Sequence, residues 1–153
     1  MTPAIANLAV RLRDRRGVLV DSNILLDVAT NDPEWSEWSG TALAECAEQT
    51  TLAINPIVYA EVSVGYTTIE ALDNALPRAL YQREPLPWEA GFLAGKSFLM
   101  YRRRGGTRNT PLPDFYIGAH AAIGNFALLT RDAARYRTYF PRIELLFPAK
   151  KSQ

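Results

Sequence analysis

The sequence predicts an α/β protein whose parallel β-sheet of about five strands is flanked by helices. The first observation is that short, continuous apolar runs alternate with longer stretches of helical periodicity, which is typical of parallel strands joined by crossover helices. The second is that polar residues able to cap a helix follow these runs. A length of 153 residues indicates a single domain. We expect an N-terminal extension over 1–16, a core over 17–147 and a tail over 148–153.

Capping residues and prolines define the boundaries of the predicted elements. Ser22 and Asn23 are capping types directly after the first apolar run, where a helix should begin. Pro33, Pro56 and Pro113 suit the first turn of a helix, in which no amide hydrogen is needed. Predicted strands cover 18–20, 51–54, a weakly signalled 83–87, 126–129 and 143–147. Predicted helices lie within 1–16 and over 22–28, 34–49, 56–66, 68–76, 88–104, 115–124 and 133–139.

Composition excludes several classes of protein. Charged residues make up 22% of the chain, apolar residues 48%, and the net charge is +1, so any nucleic-acid role must come from local charge. Cys46 is the only cysteine, which leaves no disulfide framework and no thiolate zinc site. The N-terminus has no basic segment ahead of its first apolar run, and no run approaches the ~20 apolar residues of a membrane span. We therefore expect a cytoplasmic protein that does not contact a membrane.

Asp21 follows the first apolar run, at the end of a strand that should be buried on both faces. Open α/β sheets bind ligands at the carboxyl ends of their strands, which favours a functional acid here. Taken alone, Asp21 would more readily be explained as a helix N-cap. Glu61 shares a helical face with Ile57 and Val64, and an unpaired charge on such an apolar stripe requires a cation. A solvated helical glutamate is the alternative.

Asp114 and Asp132 complete a set of four candidate acids. Asp114 lies in the first turn of its helix, on a face with the small Gly118 that should approach the sheet closely. Asp132 follows the fourth apolar run and repeats the order of strand, acid and helix. Each of the two alone is explained as well by a capping or turn aspartate. His120 lies roughly 240° around the helix from Asp114, so we expect no role for it as a base or a ligand.

The four acids together predict a metal site. Parallel strands bring their carboxyl ends to one edge of a sheet, and like charges in one pocket raise one another's pKa values. A hard divalent cation with oxygen ligands removes this conflict, which favours Mg²⁺ or Mn²⁺, and the lack of histidine and cysteine ligands disfavours zinc. Such an ion supports hydrolysis of a phosphodiester bond by an activated water. No protein nucleophile is then needed, consistent with the absence of a credible Ser–His or Cys–His pair.

A basic segment precedes the helix that carries Asp114. Its arginines are candidates for contacts with the phosphates of a nucleic acid beside the acidic site. The alternative is a solvated helix C-terminus, where arginine offsets the helix dipole. The candidate residues are Arg102, Arg103, Arg104 and Arg108.

The four acidic motifs, in order, resemble those of PIN-domain proteins, and more narrowly those of the VapC toxins of type II toxin–antitoxin systems. The motifs are VDSNIL at 20–25, PIVYAE at 56–61, PDFYIGAHA at 113–121 and LTRD at 129–132. The resemblance covers nearly the whole chain from about residue 18 to residue 147. A departure is the extension 1–16, because similar proteins usually begin near the first strand.

This resemblance implies a three-layer α/β/α fold and a Mg²⁺- or Mn²⁺-dependent ribonuclease that acts as a homodimer. It also implies silencing by a cognate VapB-type antitoxin, with DNA contacted only through that antitoxin. Asp21, Glu61, Asp114 and Asp132 match the catalytic, metal-binding acids. Thr130 matches a polar position that helps to order the site. Ser22 and Asn23 are further supporting polar candidates.

Two other classes of function compete with the ribonuclease. A catalytically silent PIN-like module that binds RNA or a protein would be expected to have lost some of its acids, whereas this chain keeps all four. A small phosphatase on a related sheet would need a second aspartate two residues after the first. Asn23 occupies that position.

Overall fold

The structure is a computed structural model and describes residues 2–149, within which it contains a five-stranded parallel sheet and eight helices. The strand order is β3-β2-β1-β4-β5, which confirms the predicted α/β class. The strands are β1 (Gly17–Val20), β2 (Leu52–Ile54), β3 (Tyr81–Arg83), β4 (Phe126–Leu129) and β5 (Leu145–Leu146). The helices are α1 (Leu8–Arg11), α2 (Ser22–Ala29), α3 (Ser36–Gln49), α4 (Pro56–Ser63), α5 (Ile69–Ala75), α6 (Trp88–Arg103), α7 (Pro113–Gly124) and α8 (Ala134–Tyr139). The last part of the predicted tail, 150–153, lies outside the described residues.

The central strand β1 fixes the position of the candidate site. Every residue of β1 and of its neighbour β4 is buried, as expected for strands covered on both faces. Their register pairs Val20 with Leu129, and the amide of Asp21 donates to the carbonyl of Leu129 at 2.9 Å. Asp21 and Thr130 therefore leave the sheet side by side, at the carboxyl ends of two adjacent parallel strands.

Two strand predictions needed correction. The third strand lies at Tyr81–Arg83, earlier than the predicted 83–87, because the prolines at 85 and 87 have no amide hydrogen for a ladder. The fifth strand is confined to Leu145–Leu146 instead of 143–147. Its ladder with β4 is extended by hydrogen bonds from Leu128 to Glu144 and from Thr130 to Leu146.

Several helix boundaries also differ from the prediction; for example, α4 ends at Ser63 instead of 66, and α7 begins at Pro113 instead of 115. Helix α3 begins at Ser36, because the Asp32 carboxylate accepts the amides of residues 34 and 35 and holds this segment as a turn. Within the described part of the extension, residues 2–16, only α1 is helical, and it starts after Asn7, whose φ of 58° is left-handed. Ile5 and Leu8 are buried as predicted for the apolar face of this segment, while Ala9 is exposed.

The extension packs against the rest of the molecule at two places. The carboxylate of Glu45 on α3 accepts the backbone amides of Ala4 and Ile5 at 2.9 and 3.1 Å. The Arg11 guanidinium donates to Glu144 and to the carbonyl of Leu145 on β5. Residues 2–16 thus brace both α3 and the edge of the sheet.

Helix α7 packs against α6, α4, α8 and β4. The small Gly118 was predicted to let this helix approach the sheet, but the space beside it is filled from α8. A Cβ at this position would lie 2.5 Å from the Phe140 ring and 3.1 Å from the Tyr136 ring. Gly118 therefore admits the rings of Tyr136 on α8 and of Phe140, the residue that ends this helix. Among the described residues, no helix is long and apolar enough to cross a membrane.

Candidate functional site

Asp21 is the centre of the site and caps α2. Its Oδ1 accepts the amide of Ser22 at 2.8 Å, and its Oδ2 accepts the hydroxyls of Thr130 at 2.8 Å and Tyr136 at 2.9 Å. The residue is only 3% exposed. Burial raises the pKa of this carboxyl from 3.8 to about 6, against the lowering effect of the hydroxyl donors from Thr130 and Tyr136. The capping role and the buried acidic role thus coexist in one residue.

Tyr136 was not predicted from the sequence. Its buried hydroxyl lies 2.9 Å from Oδ2 of Asp21 and 3.3 Å from Oδ1 of Asp114, so it joins the two acids. Burial and then the Asp21 charge raise the pKa of this phenol well above its usual value, which keeps it a hydrogen-bond donor. An aromatic residue in a short helix gives no signal beyond core packing. Gly118 was interpreted as allowing approach to the sheet, and the room it leaves for the Tyr136 ring is visible only in the structure.

Glu61 lies beside Asp21, linked through Ser22. The Ser22 hydroxyl donates to Oε1 of Glu61 at 3.0 Å. Partial burial is the main cause of the raised pKa of Glu61, and the nearby charge of Asp114 adds to it. The expected apolar stripe around Glu61 was wrong, because Val64 is 87% exposed and the core face of α4 is formed by Val58 and Val62.

Asp114 and Asp132 lie further out. Burial raises the pKa of Asp114, and the neighbouring Arg135, with a guanidinium nitrogen 3.7 Å from Oδ2, partly offsets this effect. Asp132 is exposed, and its charge also acts to raise the pKa of Asp114. Its amide donates to the Thr130 hydroxyl at 3.2 Å. Asp132 therefore lies near Asp114 at the outer rim of the site.

The predicted supporting polar residues converge on the same point. Thr130 is fully buried and its hydroxyl contacts Asp21. Asn23 donates through Nδ2 to that hydroxyl at 3.3 Å, and its Oδ1 accepts the amide of Arg131 at 3.2 Å. Together with Ser22, these side chains hold the loop after β4 against the start of α2.

A second brace lies behind this loop, and sequence analysis missed it. Asp27 on α2 is buried and accepts two hydrogen bonds from the Arg131 guanidinium, at 2.9 and 3.0 Å. The Ser39 hydroxyl on α3 donates to the same carboxylate at 2.8 Å. This paired, buried carboxylate is structural, and it fixes the residue that separates Thr130 from Asp132.

An open groove of about 390 Å³ adjoins the outer acids. Its lining residues are Tyr101, Asp114, Asp132, Ala134, Arg135, Thr138 and Tyr139. A separate cavity of about 250 Å³ lies at the carboxyl ends of β2 and β3, and none of the four acids lines it. We therefore associate the chemistry of the site with the groove.

The predicted arginines lie at the end of α6 and on the loop that follows it beside this groove. The Tyr101 hydroxyl accepts the amides of Thr107 and Arg108 at 3.2 and 3.4 Å, which ties the loop to the groove wall. The guanidinium of Arg104 lies 5.5 Å from the centre of the Tyr139 ring. Arg102 donates to the carbonyl of Arg108 at 2.8 Å, and Arg103 is exposed at the end of α6.

His120 takes no part in the acidic site, in agreement with its predicted orientation. It is buried, and its Nδ1 lies 3.0 Å from the amide nitrogen of Asn55. The Oδ1 of Asn55 accepts the amide of Val58 and so caps α4. Burial lowers the pKa of the imidazole, which favours the neutral form as a structural acceptor.

The donor chemistry of the site fits a hard divalent ion. All candidate ligands are oxygens, and burial and mutual repulsion raise the pKa values of Asp21, Glu61 and Asp114. Within residues 2–149, however, no three carboxylate, histidine or cysteine side chains converge into a complete ligand group. Mg²⁺ typically keeps several waters and uses only one or two carboxylates, so this looser arrangement suits it.

The fold and the site together define an α/β domain with a carboxylate cluster at the carboxyl edge of a parallel sheet. The PIN domain family model matches residues 18–141, and the chain belongs to this family. PIN domains are generally nucleases. Comparison with curated proteins gives no match.

Three solved structures illustrate the likeness of fold. VapBC2 from Rickettsia felis, bound to a promoter DNA fragment, is 20% identical with a TM-score of 0.66, covering 86% of this chain and 98% of that chain. VapBC-1 from nontypeable Haemophilus influenzae is 20% identical with a TM-score of 0.63, covering 84% and 95%. A toxin–antitoxin complex from Klebsiella pneumoniae is 23% identical with a TM-score of 0.59, covering 88% and 99%.

Proposed function

We propose that this PIN domain is a divalent-metal-dependent endoribonuclease that acts as the toxin of a toxin–antitoxin pair. The observation that carries the proposal is the single Tyr136 hydroxyl shared by Asp21 and Asp114 at the carboxyl edge of the sheet. It keeps two acids of raised pKa close together in a pocket bordered by a groove. The toxin role is supported by the similar structures, which are VapBC or toxin–antitoxin complexes.

In this proposal Asp21, Glu61, Asp114 and Asp132 hold Mg²⁺ or Mn²⁺. A bound ion would supply the activation of a water and the charge stabilisation of the leaving oxygen of the phosphodiester. The hydroxyl of Thr130 orients the Asp21 carboxylate, and Ser22 does the same for Glu61.

The substrate in this proposal is single-stranded RNA that enters along the groove. Arg102, Arg103, Arg104 and Arg108 contribute positive charge beside the acids, which alone would repel a phosphate backbone. The anchoring of the Arg108 amide by Tyr101 supports this role, because it keeps the basic loop at the groove wall. A toxin that cleaves cellular RNA acts in the cytoplasm, which we propose as the location of the protein.

We also propose a homodimer and a VapB-type antitoxin partner, with DNA contacted only through the antitoxin. A stripe on α6 exposes Trp88, Phe92 and Leu99, which are 93%, 70% and 41% accessible. Exposed apolar surface of this kind favours a protein contact, here assigned to a second copy of the chain. Phe92→Glu should convert the dimer to a monomer in light scattering, whereas Val10→Glu, an exposed apolar residue on α1, should leave it unchanged.

Incubation of the purified chain with cellular RNA tests the activity directly. We expect cleavage with Mg²⁺ or Mn²⁺, loss of cleavage with a chelator, and discrete 5′ ends on mapping. Asp21→Asn should abolish the cuts while keeping the circular dichroism spectrum of the wild type. RNA binding without cleavage under all metal conditions would instead identify a catalytically silent PIN-like module, and the enzymatic proposal would be wrong.

A further inference from the structure

Arg135 is the one basic side chain among the residues that line the groove. Arg135 lies on α8, after both outer acids in the sequence. Its Nη1 is 3.7 Å from Oδ2 of Asp114. Its side chain is 36% exposed, so one side of the guanidinium is open to the groove. An incoming RNA phosphate would meet this cation beside the acidic site.

The contact between Arg135 and Asp114 is loose compared with the structural ion pair nearby. Arg131 donates two hydrogen bonds, of 2.9 and 3.0 Å, to the buried Asp27. Within residues 2–149, the guanidinium of Arg135 makes no hydrogen bond, so its donors are not committed to another side chain. A guanidinium presents its N–H groups as a planar fork that matches two phosphate oxygens.

Aromatic rings hold this guanidinium in place from behind. Its central carbon lies 5.8 Å from the centre of the Phe115 ring and 5.9 Å from that of Tyr101. Cation–π attraction at such distances positions a cation without using its hydrogen-bond donors. The arrangement therefore limits the freedom of Arg135 while leaving its donors available to a ligand.

We propose that Arg135 binds a backbone phosphate of single-stranded RNA and so positions the strand beside Asp114 and Asp132. This inference rests on the proposed ribonuclease function and adds a substrate contact to it. Its role differs from that of the arginines within 102–108, which lie at the end of α6 and on the loop after it. Arg135 acts inside the groove, next to the acids.

The competing explanation is that Arg135 only neutralises Asp114, whose pKa it lowers. Phosphate binding and neutralisation differ in one measurable respect. A phosphate contact contributes to the salt dependence of RNA binding, whereas an internal ion pair does not. Arg137 is a matched control, because it lies on the same helix and its guanidinium packs 5.1 Å from the centre of the Phe147 ring, outside the groove lining.

The experiment compares Arg135→Gln, Arg135→Lys and Arg137→Gln in an Asp21→Asn background, which prevents cleavage. Binding of a short, fluorescein-labelled single-stranded RNA of mixed sequence is measured by anisotropy with Mn²⁺ at several salt concentrations. Arg135→Gln should weaken binding about tenfold or more and reduce the log–log salt slope by roughly 0.7. Arg135→Lys should restore the slope and part of the affinity, which also excludes misfolding as the cause.

Equal affinities and slopes for Arg135→Gln and Arg137→Gln would overturn the inference, whatever the activity of the wild type. Failure of the ribonuclease proposal has a different signature, in which wild type with Mn²⁺ leaves the same RNA uncut. Weaker binding by Arg135→Gln with an unchanged salt slope would also count against the phosphate contact, because it indicates a structural effect transmitted through Asp114.

Discussion

Protonation of Asp21 should make the stability of the metal-free protein fall as the pH rises. The carboxyl is buried and its pKa is raised from 3.8 to about 6, so between these values the folded chain keeps a proton that the unfolded chain has released. The free energy of unfolding therefore decreases with pH in this window. At about 1.4 kcal/mol per pH unit the difference amounts to about 3 kcal/mol, present below pH 3.8 and lost above about pH 6.

Protonation of Glu61 and Asp114 should change stability with pH in the same direction as protonation of Asp21. Burial is the main cause of the raised pKa of each, so each also favours folding at low pH and opposes it at neutral pH. A divalent cation bound to ionised carboxylates reverses this effect, because it stabilises the charged form in the folded state only. The loss of stability with pH should therefore shrink when Mn²⁺ replaces the chelator.

Urea denaturation of the chelated protein, from about pH 4 to about pH 7.5, measures this slope. Asp21→Asn should make the free energy of unfolding depend less steeply on pH, by the amount that Asp21 contributes in the wild type. The absolute stability of this variant is a poorer guide, because an amide oxygen replaces a carboxylate that accepts from both Thr130 and Tyr136. Asp14→Asn, an exposed aspartate before β1, is the control. If the unfolding free energy of Asp21→Asn falls with pH as steeply as that of wild type, the buried Asp21 carboxyl is not a cause of the pH dependence.

Three further predictions concern Asp114, Tyr136 and the helix packing beside them. Chelated Asp114→Asn should melt higher than chelated wild type and gain less from Mn²⁺, because one repelling charge is removed. Tyr136→Phe should cost about 1–3 kcal/mol in urea denaturation and weaken the thermal response to Mn²⁺, because it removes the hydroxyl that joins two acids. Gly118→Ala should cost about 1–3 kcal/mol, because its Cβ would lie 2.5 Å from the Phe140 ring.

Each of these predictions has an outcome that contradicts it. If Asp114→Asn melts lower with chelator and responds to Mn²⁺ as wild type does, Asp114 is only a helix-terminal residue. A Tyr136→Phe variant with an unchanged response to Mn²⁺ would limit the hydroxyl to a packing role. If Gly118→Ala is as stable as wild type in urea, the side chains of α8 can shift away at no cost.

The sequence predicted the parts of the site that depend on strand order. Asp21 and Thr130 follow two buried runs, and parallel pairing of those runs is enough to place them together. Asp114 was predictable because a proline marks the start of α7. The outward position of Asp132 was not predictable. The end of a strand indicates at which edge of the sheet a residue lies, but it does not indicate how deeply the residue is buried.

Contacts made by side chains from a later helix were out of reach of sequence reasoning. The role of Tyr136 depends on how α8 folds back over Gly118, which no local pattern encodes. The pairing of Asp27 with Arg131 joins residues 104 positions apart, and either one reads as a solvated charge. Prediction of the third strand failed for a simpler reason, since two prolines within 83–87 rule out a continuous ladder.

The contacts between Arg11 and the β5 segment determine how the protein should respond to removal of its N-terminal residues. Within residues 2–149, the two-residue strand β5 pairs with β4 alone, so its outer side is an open edge that a neighbouring chain could extend. Arg11 occupies the Leu145 carbonyl and pairs with Glu144, which blocks that edge with a charged side chain. A chain starting at Gly17 would keep every acid of the site but lose the contacts of Arg11 with Leu145 and Glu144. It should therefore aggregate at concentrations where the longer chain does not.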